Sequence, residues 1–124
     1  MAKILVVDDS EDILEMLGML LHYKGHEIIT SIDSVTTIKA INSFSPDLII
    51  LDVWLNGNPK GSTGRELCKD IKKFYPSLPI ILMSANPELL KEFEECGADA
   101  IIEKPFDIAV LNHTVDALLT PVEK

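Results

Sequence analysis

Five short apolar runs recur at intervals of about twenty residues: Ile4 to Val7, Ile28 to Thr30, Leu48 to Leu51, Ile80 to Met83 and Ala100 to Ile102. Their length and their Ile and Val content suit buried strands, because branched side chains pack well on a pleated surface. Between the runs lie apolar residues at helical spacing, namely Ile13, Leu17 and Leu20 or Leu21, then Val35, Ile38 and Ile41, then Leu67, Ile71 and Phe74. Each such segment can cover a sheet with one face. Strands and helices that alternate in this way, with continuously apolar strands, predict a parallel sheet with helices on both faces.

Local punctuation agrees. Ser10 fits an N-cap, Thr63 with Glu66 fits a capping box, and Asn86-Pro87 fits a cap followed by a first-turn proline. Gly25 and Gly97 suit the left-handed positions that end the first and fourth helices, and a fifth helix is expected from Asp107 to Leu119. With 124 residues, 47% of them hydrophobic, the chain holds one compact core, so a single domain over residues 1–124 is expected.

The formal net charge of −9 argues against direct binding to nucleic acid or to an anionic membrane, since both are polyanions. No apolar stretch is long enough to span a bilayer and "MAKILVVDD" lacks the pattern of a signal peptide, so a cytoplasmic location is expected. Cys68 and Cys96 have no metal-site spacing and read as reduced thiols; His22, His26 and His113 have none either. Lys69, Lys72 and Lys73 read as a solvated helix face.

In a parallel α/β sheet the ligand edge is the one formed by the C-terminal ends of the strands, near the point where strand order reverses. Asp8-Asp9, Asp52, Ser84 and Glu103-Lys104-Pro105 stand at such ends. If the first and third strands are neighbours, three carboxylates converge, and mutual repulsion in a partly desolvated site calls for a divalent cation. Oxygen-only ligands suit Mg²⁺. An aspartate in that setting can attack phosphorus to give an acyl phosphate, with Lys104 and Ser84 left to hold the phosphoryl oxygens.

The segments "VVDDSED", "LIILDVWL", "ILMSAN" and "IEKPF" resemble, in order and nearly at the same spacing, the four signatures of the receiver domains of two-component response regulators. The resemblance covers essentially the whole chain. It implies a doubly wound (βα)5 flavodoxin-like sandwich with strand order 2-1-3-4-5. It implies that Asp52 is phosphorylated and that Mg²⁺ sits among Asp8, Asp9 and Asp52, directly on Asp9 and through a water on Asp8. The Trp54 backbone carbonyl would complete the protein ligands. Ser84 would bond a phosphoryl oxygen and move inward on activation, Lys104 would pair with the phosphoryl group or with Asp52, and a cis peptide would precede Pro105. The implied partners are a sensor histidine kinase or histidine phosphotransfer protein, and a downstream protein or an output domain outside this chain. Homodimer formation on phosphorylation is compatible with it.

Such a domain is a phosphoacceptor and not an enzyme with its own substrate. The alternative is a Mg²⁺-dependent aspartyl phosphohydrolase, which usually carries a second Asp two residues after the nucleophile, where this chain has Trp54. A flavin carrier would need a less acidic loop than "DDSED", and a P-loop is absent.

Three departures from the family pattern stand out. The position three residues before Lys104, usually aromatic, is Ile101, which shifts the expected switch to the fourth helix and its preceding loop. The segment from Asp52 to Gly64 is a few residues longer than usual, an insertion that a surface loop accepts at little entropic cost. Trp54 and Asn86 occupy the variable positions that flank the route of water to an acyl phosphate.

Overall fold

The computed structural model describes residues 2–53, 62–85, 93–104 and 106–119, with only the backbone of Ser62 and Thr63. The chain runs β1 (Lys3–Val7), α1 (Glu11–Tyr23), β2 (Glu27–Ser31), α2 (Ser34–Phe44), β3 (Leu48–Asp52), α3 (Ser62–Phe74), β4 (Ile80–Ser84), a 3₁₀ turn (Phe93–Cys96), β5 (Ala100–Glu103) and α4 (Ile108–Leu119). All strands are parallel, in the order β2-β1-β3-β4-β5. This is the doubly wound, flavodoxin-like sheet that the sequence implies.

The two-residue period of a strand divides the core into two layers. Leu5, Val7, Ile49, Leu51, Val53, Ile80 and Leu82 face α2 and α3, together with Cys96 and Ala98 from the segment before β5. Ile4, Val6, Leu48, Ile50, Ile81, Met83 and Ile102 face α1 and α4 through Leu14, Leu17, Leu21, Leu111 and Val115. Each fully buried Leu or Ile is worth about 1.5–3 kcal/mol, so the apolar runs of the central strands dominate the stabilisation. β3 and β4 are buried along their full length, whereas the edge strands β2 and β5 are only partly covered.

The termini follow local chemistry. The Ser10 hydroxyl caps α1 by accepting from Ile13 N, and Gly25 ends the helix at φ +94° with its N–H on the His22 carbonyl. Gly97 has φ +90° after the 3₁₀ turn, as expected of it. Residues 86–92, where Asn86-Pro87 was expected to start a fourth helix, lie outside the described ones.

Three expectations need correction. On α2 the buried residues are Thr37, Ala40 and Ile41, while Val35 and Ile38 are exposed. Thr37 can turn inward because its hydroxyl is satisfied by the Asp33 carbonyl at 2.7 Å and the Ser31 hydroxyl at 2.8 Å. Phe74 is likewise exposed at the end of α3, which begins at Ser62, ahead of the cap expected at Thr63. Lys72 does not belong to a solvated face: its ammonium pairs with Asp99 at 2.9 Å, and its stem lies over Gly97.

Candidate functional site

The register places the polar strand ends side by side. Val7 is paired with Leu51, so Asp8 is level with Asp52 across the β1–β3 boundary, where strand order reverses. Asp52 pairs with Met83 and Ser84 with Glu103, so Ser84 and then Lys104 continue the same edge. Backbone bonds secure these ends: Val53 N to the Met83 carbonyl at 2.9 Å, and Lys104 N to the Ser84 carbonyl at 2.9 Å.

One carboxylate oxygen each from Asp8, Asp9 and Asp52 lies within 4.8 Å of the other two. Asp8 and Asp52 are buried, and Asp9 is exposed at the mouth. Two buried carboxylates at such a separation repel strongly in low dielectric, and the fold answers with Lys104. Its ammonium donates to Asp8 Oδ2 at 2.9 Å and to Asp52 Oδ1 at 3.4 Å. The resemblance implies pairing of Lys104 with the phosphoryl group or with Asp52; the bond to Asp52 is present, and the shorter one goes to Asp8. Burial works against the charged ammonium, but the bonds and charges of Asp8 and Asp52 outweigh it and hold the Lys104 pKa above that of an ordinary lysine. The other Asp8 oxygen accepts from Ser10 N at 2.9 Å, so the cap region of α1 also orients this carboxylate.

Three carboxylates and the Lys104 ammonium thus share this edge of the sheet. An all-oxygen donor set with an exposed member at its mouth fits a hard divalent cation such as Mg²⁺. Ser84 is buried at the same edge. Ile101 lies on the exposed side of edge strand β5, paired with Leu82. Trp54, Asn86 and Pro105 fall outside the described residues, and with them the backbone-carbonyl ligand, the second flanking position and the cis peptide.

Gly64 belongs to the site in a way that its spacing alone did not reveal. A Cβ there would meet the Asp52 carbonyl oxygen and stand 2.7 Å from both the Val53 Cα and the Val53 carbonyl oxygen. The Gly64 N–H also donates to that Val53 carbonyl at 3.2 Å. The first turn of α3 therefore rests directly on the backbone that carries Asp52. The available signal was a glycine at the start of a helical pattern, which often marks a close approach.

A doubly wound parallel sheet with an acidic cluster and one lysine at its switch point defines a class of α/β proteins built to handle a phosphoryl group and a cation. Comparison with known proteins then narrows the class. Residues 4–116 match the family described as the response regulator receiver domain, and the chain belongs to that family. It is 38% identical over 122 residues to the alkaline phosphatase synthesis transcriptional regulatory protein PhoP of Bacillus subtilis, covering 94% of this chain and 48% of that protein. A crystal structure of NtrX from Brucella abortus aligns with TM-score 0.87 at 38% identity, covering 95% of this chain and 27% of that one. The isolated NtrX receiver domain from Brucella abortus aligns with TM-score 0.85 at 36% identity, covering 94% of this chain and 97% of that one. The chain thus spans about half the length of the curated relative and about a quarter of that longer NtrX chain.

Proposed function

We propose that this receiver domain takes a phosphoryl group onto Asp52 from a phosphohistidine of a sensor kinase or phosphotransfer protein. The observation that carries the reading is the Lys104 ammonium bonded to both Asp8 and Asp52 beside a third carboxylate, Asp9. A carboxylate oxygen of Asp52 attacks phosphorus, the N–P bond of the donor breaks, and the imidazole leaves with the electron pair. Lys104, already held between the two aspartates, keeps its charge through the reaction and pairs with a phosphoryl oxygen as Asp52 loses its own charge. The Ser84 hydroxyl donates to another.

Asp8, Asp9 and Asp52, with the Trp54 carbonyl, would hold Mg²⁺, which when bound neutralises charge on the transferring oxygens. Asp8 would orient a metal water while Ser10 N and Lys104 fix its carboxylate. The altered charge at Asp52 then biases a surface equilibrium that a partner protein or an attached output domain reads, with homodimer formation as one readout. In this role the domain assists only its own phosphorylation and dephosphorylation.

The test is incubation with Mg²⁺ and a small acyl phosphate or beryllofluoride, followed by intact mass and by fluorescence of the sole tryptophan, Trp54. A single stable adduct on Asp52, lost in Asp52→Asn, is expected. Continuous release of phosphate without an adduct would instead mark a phosphohydrolase and overturn the proposal.

A further inference from the structure

Two cysteines that stand 28 positions apart in the chain meet inside the fold. Cys68, on α3, donates its thiol to the Cys96 carbonyl oxygen at 3.4 Å, and Cys96, at the end of the 3₁₀ turn, donates to the Phe93 carbonyl at 3.1 Å. Both are free thiols in the same core layer. They differ in access: Cys68 is 0% exposed, whereas Cys96 is 6% exposed and lines a surface cleft of about 120 Å³ with Arg65, Glu66, Lys69 and Glu95. That volume admits a molecule of a few heavy atoms and excludes a peptide or a cofactor.

Proton sharing between the two sulfurs, opposed by burial, lowers the Cys96 pKa, and the Arg65 charge acts in the same direction. The same sharing, now helped by burial, raises the Cys68 pKa. Of the two residues it is Cys96 that lines the cleft, while Cys68 lies wholly behind it. A cysteine that lines a cleft, with Arg65 beside it and a second thiol behind it, is the arrangement that favours oxidation followed by resolution.

We propose that Cys68 and Cys96 form an oxidisable pair, in which a small hydroperoxide entering the cleft is attacked by Cys96 and Cys68 closes a disulfide. In the first step the Cys96 sulfur bonds to one peroxide oxygen, the O–O bond breaks and hydroxide leaves, giving a sulfenic acid. In the second, the Cys68 sulfur attacks the Cys96 sulfur, the S–O bond breaks and water leaves with the Cys68 proton. Two thiols and one hydrogen peroxide become one disulfide and two waters. The bond would tie α3, whose first turn rests on the Asp52 backbone, to the segment that joins β4 to β5. Both ends of that bond lie in the core layer that α3 covers.

The test treats the whole chain with stoichiometric hydrogen peroxide under native conditions and counts thiols, with peptide mapping by mass. Loss of both thiols into one intramolecular Cys68–Cys96 disulfide is expected. In Cys68→Ser the reaction should stop at a dimedone-reactive sulfenic acid on Cys96, and in Cys96→Ser it should slow by at least about tenfold. Arg65→Gln, a surface change that leaves both cysteines in place, should slow the native reaction several-fold. Retention of both thiols in the wild-type chain, attack on Cys68 first, or over-oxidation without a disulfide would each overturn the proposal.

Discussion

Among the described residues the Lys104 ammonium bonds two buried carboxylates, Asp8 and Asp52. Replacing Lys104 by methionine keeps the volume but removes its bonds to both carboxylates, and a loss of about 1–3 kcal/mol by urea denaturation is expected. Because its pKa is raised, the lysine's stabilising contribution is complete below the unfolded-state value of 10.5 and is lost as pH rises through the higher folded value. The difference in stability between wild type and Lys104→Met should therefore hold through neutral pH and shrink only in strong alkali; a difference that shrinks between pH 6 and 8 would contradict the assignment. The carboxylates and the lysine were legible in the sequence because each ends an apolar run. That Lys104 binds Asp8 more closely than Asp52 was not, since it depends on side-chain reach across β1, β3 and β5.

Among elements, the strands were the most legible and the helix faces the least. A buried strand announces itself by apolar residues alone, whereas the inner face of α2 depends on Thr37, which is polar in the sequence and apolar in effect once Ser31 and Asp33 satisfy its hydroxyl. The end of α2 was equally hidden: Ser45 adopts φ +53°, the left-handed conformation usually left to glycine. Since a Cβ is disfavoured there, Ser45→Gly should stabilise the protein by up to about 1 kcal/mol, after allowance for the greater freedom of glycine in the unfolded chain. An unchanged or lower urea midpoint would show that Ser45 is held by something other than backbone preference. The meeting of Cys68 and Cys96 was illegible for another reason, because it arises from the packing of α3 against the turn before β5.

For the molecule as a whole, strand order decides function, since it places the first and third strand ends together. Apolar periodicity predicts the layers but cannot choose among the orders of five similar strands; the four signature segments could. The described helices include none long and apolar enough to cross a membrane. With three carboxylates converging at one edge, the proposed cation binding predicts a linkage to folding. Mg²⁺ at tenfold above its Kd should stabilise the fold by about 1.4 kcal/mol, a rise in melting temperature of roughly 5 °C. Asp9→Ala should abolish most of that rise in a thermal melt; a rise that survives the substitution would place the cation elsewhere.

The bond from Gly64 N to the Val53 carbonyl gives the lengthened loop a further meaning. The framework on either side of residues 54 to 61 is closed at one stitched point, Val53 to Gly64. A chain spliced between those two ends starts and finishes at neighbouring points, so its closure asks no displacement of the sheet.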